Sequence, residues 1–214
     1  MPTSIQSGFV PYDPENERRS LEAEAEGIQN SQTLIEKVIH WFSARSMFVV
    51  AYGTGCGAIE MPPVFTSRYD IERLGVVGVA TPRQADIMIV SGYASLKTLR
   101  RIIRTYEQMG EPKFVIALGS CTINGGMYWD SYNTIKRLED YIGVDMYVAG
   151  CMPRPEALIE GFVKLQAAIR DNTLQPGYVK YRENNAWYKA NQAKVLGDQI
   201  APEYEENYAG MELS

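Results

Sequence analysis

The three cysteines of this 214-residue chain each lie in a turn next to glycine or proline, just after an apolar run. Cys56 is part of Gly-Thr-Gly-Cys-Gly-Ala, Cys121 of Gly-Ser-Cys-Thr and Cys151 of Ala-Gly-Cys-Met-Pro-Arg-Pro. Thiolates are the usual ligands of iron-sulfur clusters, which normally take four of them. The cysteines therefore predict a cluster site that is one ligand short.

The spacing of the cysteines separates this kind of site from others. Zinc fingers and ribbons take their ligands in close sequence pairs, whereas these cysteines are far apart. An odd number of cysteines is also a poor disulfide framework. A single cysteine is more often a small buried apolar residue, but the shared placement of all three favours ligands supplied by three separate loops.

Other chemistry has weaker support in the sequence. Gly53–Ala58 matches the dinucleotide fingerprint G-x-G-x-x-A, but the acidic partner expected about 20 residues later is poorly supplied by Asp70 and Glu72, which lie in a polar stretch. His40 is the only histidine and follows no catalytic pattern. No serine triad or paired-carboxylate motif is visible, so hydrolytic chemistry is not indicated.

Composition excludes several further classes. The net charge is −5 and the basic residues are interspersed with acidic ones, so nucleic-acid binding is not expected. The N-terminus lacks a signal-peptide pattern, and no apolar run approaches the roughly 20 residues of a membrane-spanning helix. We expect a soluble cytoplasmic chain with one main domain, since 45% of its residues are hydrophobic.

Four short apolar runs predict buried parallel strands, and stretches of helical periodicity lie between them. The predicted strands are Met47–Ala51, Ile87–Val90, Phe114–Leu118 and Val144–Val148, and the predicted helices are Ser31–Arg45, Leu96–Met109, Ser131–Tyr141 and Glu156–Asn172. Alternating strands and helices indicate an α/β fold with helices on both faces of a parallel sheet. Ligands bind such sheets beyond the carboxyl ends of the strands, where all three cysteines fall.

The chain divides into three parts. Residues 1–30 form a charged arm with too little apolar content to fold alone, and residues 31–172 form the α/β domain. Residues 173–214 are rich in tyrosine but irregular in pattern. We expect this irregular C-terminal extension to pack on partner subunits.

A set of collinear segments resembles the PSST-type, or 20 kDa, iron-sulfur subunit of respiratory complex I, which is related to the small subunit of NiFe hydrogenases. The likeness extends from about residue 35 to residue 166. The segments are Ala58–Met61, Ser67–Gly75, Pro82–Val90, Tyr106–Met109, Glu111–Ile116, Gly119–Cys121, Gly125–Gly126 and Gly150–Ala157.

This resemblance implies a flavodoxin-like fold that holds the last 4Fe-4S cluster of an electron chain. The implied activity is electron transfer from NADH or another donor to quinone, coupled to proton translocation. The implied partners are the large hydrogenase-like (49 kDa) subunit, the ferredoxin-like eight-iron subunit, a membrane subunit and quinone. The implied location is peripheral, at the cytoplasmic face of the cell membrane.

The family binds its cluster through a tandem Cys-Cys pair, a Gly-Ser-Cys and a Gly-Cys-Pro-Pro. Cys56 matches the first of the pair and Cys121 and Cys151 match the others, whereas the second tandem position is Gly57. Three outcomes stay open: a 4Fe-4S cluster with a fourth ligand from water, a carboxylate or a partner; a 3Fe-4S cluster; or no cluster. Glu60 is the nearest carboxylate. We expect a cluster to be retained, and Gly57→Cys to lower its potential if position 57 faces it.

The resemblance also assigns residues around the cluster. Arg68 and Arg83 match family arginines near the cluster or the subunit interface, and ion pairs with Asp70 or Asp86 are the alternative. An apolar wall suits a quinone. The residues that match the quinone cavity are Met61, Val64 and Phe65.

Two other functions stay open. One is the small subunit of a membrane-bound, energy-converting hydrogenase-like complex whose acceptor is protons or sulfur. Those subunits usually carry Cys-x-x-Cys before Ile-Glu, which is absent here. The other is a scaffold subunit that has lost its cluster.

Overall fold

The computed structural model describes residues 34–196, so the predicted arm at 1–30 and the end of the extension at 197–214 lie outside the described residues. Between 34 and 196, no helix combines the length and apolar character needed to cross a membrane. The helices are α1 Leu34–Arg45, α2 Gly57–Glu60, α3 Leu96–Gln108, α4 Ser120–Asn124, α5 Pro155–Arg170, α6 Gly177–Glu183 and α7 Asn185–Leu196. The strands are β1 Met47–Gly53, β2 Val76–Gly78, β3 Ile87–Ser91, β4 Phe114–Leu118 and β5 Met146–Val148.

All neighbouring strands pair in parallel, in the order β2-β1-β3-β4-β5. This is the flavodoxin-like order, so the predicted fold class is confirmed. The sequence predicted four strands and the structure has a fifth, β2, at the sheet edge. β2 has only three residues, two of which are exposed, so it lacks the apolar run by which the other strands were recognised.

The core lies on both faces of the sheet. All five residues of β3 and all five of β4 are buried. Alternate side chains point to opposite faces, so Ile87 and Ile89 join the cluster that includes α5, and Met88 and Val90 join the cluster that includes α3. This burial fixes the level at which the strands end, and therefore where the following loops begin.

The segment predicted as a helix at Ser131–Tyr141 is mostly loop. The backbone N–H of Ile135 donates to the carbonyl of Ala94, and that of Leu96 donates to Asn133, which ties the segment to the β3–α3 connection. Only Leu138–Asp140 forms a 3₁₀ turn. Ile135 and Leu138 are buried, and their three-residue spacing resembled helical periodicity.

The extension predicted to be irregular contains α6 and α7, and both pack on the domain's own core. The ring of Tyr181 contacts that of Tyr106 at 5.1 Å between centroids, and Gln192 Nε2 donates to the carbonyl of Tyr141 at 2.8 Å. The buried positions of α7 are Tyr188 and Gln192. Because this buried stripe includes a polar residue, α7 gives little apolar periodicity in the sequence.

The carboxylate of Asp145 ties α6 to the sheet. Its two oxygens accept hydrogen bonds from Val115 N–H in β4 at 2.7 Å and from Gly177 N–H at the start of α6 at 2.6 Å. Burial raises the pKa of Asp145 to about 6, although the two N–H donors and Lys180 lower it. The folded protein therefore retains this proton at pH values where the unfolded chain has released it.

We predict that Asp145→Asn removes a pH dependence of stability. The folded pKa is above the unfolded value, so the stability linked to this proton is present below about pH 4 and is lost as the pH rises through 6, by about 3 kcal/mol. Asparagine does not titrate and accepts only one of the two hydrogen bonds, so the variant should be less stable overall with a flatter profile. Urea unfolding at pH 4, 5, 6 and 7 measures this.

The exposed Asp130→Asn is the control for that experiment and should keep the wild-type profile. Equal pH slopes for the wild type and Asp145→Asn would contradict the assignment.

Candidate functional site

The three cysteines lie at one edge of the sheet, each at the same distance from its strand. Cys56, Cys121 and Cys151 each follow the last residue of β1, β4 and β5 by three positions. In the sheet, β3 lies between β1 and β4 and ends at Ser91. Four adjacent strand ends therefore form this edge, and three of them lead to a thiol.

The loop that carries Cys56 is held against the end of β3. Thr54 N–H donates to the carbonyl of Ser91 at 2.9 Å, and the Thr54 hydroxyl lies 2.6 Å from the carbonyl of Tyr93. Gly57 N–H donates to the carbonyl of Thr54 at 3.0 Å, which turns the chain into α2 directly after Cys56. These contacts fix the position of the Cys56 loop relative to the neighbouring strand.

The loops that carry Cys121 and Cys151 are joined to each other. Gly119 N–H donates to the carbonyl of Val148, and both the N–H and the hydroxyl of Ser120 lie within hydrogen-bond distance of the carbonyl of Gly150. Gly119 has φ +93°, a conformation that favours glycine. The two cysteines are consequently fixed by backbone hydrogen bonds between their loops.

The thiol of Cys121 responds electrostatically to the other two. Its pKa is raised first by burial and then by the negative charges of Cys151 and Cys56, and a hydrogen bond from Met127 N–H lowers it. Cys121 is buried, whereas Cys56 and Cys151 are exposed. The three thiols are thus close enough to interact, and three thiolates here would need positive charge between them.

The donor set fits a cluster better than a single ion. Within residues 34–196, no three His, Cys, Asp or Glu side chains are placed to bind one metal ion. A 4Fe-4S cluster takes each thiolate at a different iron, so its donors are spread more widely than those around one zinc. Cys56, Cys121 and Cys151 have the donor chemistry and the separate loops that a cluster requires.

Position 57 has no room for a side chain. Gly57 is buried, and a Cβ built on it would overlap Ser91 Oγ and lie 2.7 Å from the N atom of Gly92. The side chain of any other residue at 57 would therefore point into the end of β3. The sequence predicted that Gly57→Cys lowers a cluster potential if position 57 faces the cluster. In the structure, the space for a side chain at position 57 is already filled by Ser91 and Gly92.

Ser91 was not among the site residues predicted from the sequence. Its hydroxyl is buried and has no hydrogen-bond partner, which is uncommon for a polar group. The sequence feature that could have indicated Ser91 is its position. It is the polar last residue of β3, a strand that is otherwise apolar and ends at the cysteine edge.

The residues expected to line a quinone cavity are placed differently from one another. Met61 and Val64 are buried in the core, so in the described chain they pack inward. Phe65 is half-buried beside Gly78, and it stays a candidate for a cavity wall. The apolar side chain most open to solvent near Cys56 is Ile59, which is 73% exposed and was not predicted.

The two predicted arginines lie apart. Arg68 is exposed against the ring of Tyr69, whose hydroxyl donates to Glu156 in the first turn of α5, shortly after Cys151. Arg83 precedes β3 at its amino-terminal end, about 16 Å of strand away from the cysteine edge. Arg68 is thus linked through Tyr69 to the helix that follows Cys151, whereas Arg83 lies at the opposite end of β3 from the cysteine edge.

Exposed aromatic and apolar side chains follow Cys121 along the chain. The rings of Tyr93 and Tyr128 contact each other in a tilted arrangement at 5.0 Å between centroids, and Met127, Trp129 and Tyr132 are largely exposed. Exposed apolar side chains next to a functional loop are typical of an interaction face. The segment predicted as a helix contains Tyr132, so the sequence did not indicate this surface.

We predict that Gly57→Ala destabilises the protein by about 1–3 kcal/mol, because the added methyl group overpacks the end of β3. Gly110→Ala is the matched control, since a Cβ there meets no atom within 4 Å and the change should stay within about 0.5 kcal/mol. Chemical denaturation of both variants measures the difference. Equal stability of the two would show that α2 does not pack against β3 as described.

Comparisons with known proteins agree on one family. Residues 53–165, just over half of the chain, match the family described as NADH ubiquinone oxidoreductase, 20 Kd subunit. NAD(P)H-quinone oxidoreductase subunit K of Picosynechococcus sp. is 37% identical over 80% of this chain and 72% of the relative. The B-type subunit of NADH-quinone oxidoreductase from Amoebophilus asiaticus is 47% identical over 64% of this chain and 86% of the relative.

A solved structure is also similar. It is titled as the membrane-bound sulfane sulfur reductase, an archaeal respiratory membrane complex. The matching chain is 49% identical, with a TM-score of 0.74, and the match covers 81% of this chain and 96% of that one.

Proposed function

The chain belongs to the family of the 20 kDa subunit of NADH ubiquinone oxidoreductase, and we propose that it is the electron-transfer subunit that delivers electrons to the acceptor of a complex I-like respiratory complex. Relatives in this family are subunits of quinone oxidoreductases, so the chain is a subunit of an oxidoreductase of this type. The proposed acceptor is quinone, and the proposed donor is NADH or an upstream carrier. Electron transfer is coupled to proton translocation by the whole complex.

The observation that carries the proposal is the convergence of Cys56, Cys121 and Cys151 on one edge. These residues would hold the 4Fe-4S cluster that the family normally carries, and that group supplies one-electron transfer when bound. The chain's part is to fix three thiolates by backbone hydrogen bonds between loops. Cys121 is buried, which limits water at one side of the site.

The partner proposal rests on the exposed surface around the site. Ile59 and Met127 are each about 70% exposed and lie beside Cys56 and Cys121, an arrangement suited to a subunit interface. We place the large hydrogenase-like subunit there, with quinone between that subunit, Phe65 and Ile59. The eight-iron ferredoxin-like and membrane subunits complete a peripheral assembly at the cytoplasmic face of the membrane, and Arg68 is the proposed cation near the site.

A second candidate acceptor is sulfane sulfur. The chain is 49% identical to its match in the sulfane sulfur reductase, compared with 37–47% for the quinone-oxidoreductase relatives described above. The purified complex should be assayed with a quinone and with a polysulfide as alternative acceptors. Reduction of quinone alone would support the first candidate, and reduction of polysulfide alone would replace it with the second.

We predict that Cys121→Ala abolishes the cluster signal of this subunit in the assembled complex. The change removes the buried one of the three thiolates, and the neighbouring loop does not supply another. Iron and acid-labile sulfide analysis, with EPR of the reduced complex, measures the loss. Ser120→Ala is the control and should keep the iron content, because the backbone N–H of residue 120 retains its bond to Gly150.

A wild-type complex whose iron and EPR signals are fully explained by its other subunits would overturn the electron-transfer function. It would support the scaffold alternative.

A further inference from the structure

The cysteine edge has a fourth position that is filled by a hydroxyl. β1, β4 and β5 lead to Cys56, Cys121 and Cys151, and β3, between β1 and β4, ends in Ser91. Register pairs Ser91 with Gly53 on one side and with Leu118 on the other, the last residues before two of the cysteine loops. Ser91 is therefore central in the row of strand ends that carries the thiols.

The hydroxyl of Ser91 is out of contact with solvent and unpaired. The residue is fully buried, and Oγ has no hydrogen-bond partner among the described residues. A buried hydroxyl without a partner destabilises a fold relative to one that is hydrogen-bonded. By contrast, the hydroxyl of Thr122, also buried at this edge, donates to the carbonyl of Gly119 at 2.8 Å. The hydrogen-bonding capacity of the Ser91 hydroxyl is therefore unused within the described residues.

Ser91 Oγ also occupies the space that belongs to position 57. A Cβ built on Gly57 would overlap this oxygen, so it lies where a side chain at 57 would begin. Position 57 corresponds to the fourth thiolate of the family. The side chain of Ser91, at the end of the neighbouring strand, therefore takes the place of a side chain at position 57.

We propose that Ser91 Oγ is the fourth ligand of the iron-sulfur cluster held by Cys56, Cys121 and Cys151. The proposal rests on the proposed function, because it requires the cluster. On binding, the hydroxyl releases its proton to solvent, as each cysteine thiol does, and an oxygen–iron bond forms without any change of oxidation state.

The ligand set has a chemical consequence. A deprotonated serine oxygen carries the same charge as a thiolate but is a harder and more basic donor, so it favours the oxidised iron and lowers the reduction potential relative to four thiolates. Glu60 is the competing carboxylate from this chain, one helical turn after Cys56 and on the same side of α2. Water and a partner-subunit group are the remaining competitors. Water would show a ¹⁷O coupling in the experiment below, whereas a partner-subunit ligand would leave the cluster unchanged in both Ser91→Ala and Glu60→Gln and would show no such coupling.

The test compares variants in the assembled complex. Ser91→Ala should convert the 4Fe-4S signal to that of a 3Fe-4S cluster, with one iron lost per complex, whereas Ser91→Cys should keep four irons and raise the midpoint potential. Thr122→Val and Glu60→Gln should keep both the iron count and the potential of the wild type. These readouts are EPR, iron analysis and a redox titration, and none depends on turnover.

The outcomes separate the two proposals. An unchanged cluster in Ser91→Ala would overturn the serine ligand while leaving the electron-transfer function intact, and loss of iron in Glu60→Gln would assign the ligand to the carboxylate. A hyperfine coupling from ¹⁷O-enriched water in the wild-type complex would assign it to solvent and overturn the proposal. If Ser91→Ala fails to assemble, Ser91→Cys and the ¹⁷O measurement still decide. A wild-type complex without this cluster would instead defeat the proposed function.

Discussion

The close packing of α2 against the end of β3 is the contact on which the cysteine edge depends. Gly57 meets the backbone of Gly92 with no side chain between them, and Thr54 bonds to the carbonyl of Ser91. Cys56 lies between Thr54 and Gly57, the two residues that contact the end of β3, so these contacts fix its position at the edge of the sheet. Any larger side chain at 57 would push the helix and its cysteine away from the other two thiols.

The same solution recurs at the other two strand ends with different residues. Gly119 and Ser120 donate their backbone N–H groups to the loop of Cys151, so the Cys121 and Cys151 loops are fixed to each other. Long side chains with several torsions would lose more conformational entropy if they held these loops together than the backbone groups lose. Short glycine-containing loops on buried strands therefore place three thiols with little freedom, and a site on rigid elements loses little of its binding free energy to reorganisation.

The sequence predicted most of the fold because the buried strands are continuous apolar runs. It missed β2, whose three residues have no such run, and α7, whose buried stripe includes Gln192. It predicted a helix near Ile135 because residues spaced three apart also occur in a loop that packs on the core. The hydrophobic pattern of a sequence indicates which residues are buried. The structures of β2, α7 and the loop around Ile135 depend instead on contacts with residues distant in sequence.

For the site, the cysteines and their loops were predictable, since each thiol follows a recognisable strand. The reason for glycine at position 57 was not predictable, because it lies in a backbone contact with residues 34 and 35 positions later along the chain. From the sequence, Gly57 is a missing ligand. In the fold, the absence of a side chain at position 57 leaves the space that the hydroxyl of Ser91 occupies. The missing cysteine at 57 and the buried hydroxyl at 91 are therefore structurally linked.

The cysteine edge also leaves apolar side chains in solvent. Ile59 and Met127 are exposed beside Cys56 and Cys121, whereas buried side chains pack on both faces of the sheet. Apolar side chains are costly to leave in water at about 25 cal/mol per Å², and thiolates that repel one another are costly to leave without a cation. Both costs would be relieved by one event in the proposed function, the binding of a cluster under a partner subunit. Assembly and cluster binding should therefore stabilise each other, and this mutual dependence follows from placing the ligands and the exposed apolar side chains on one edge.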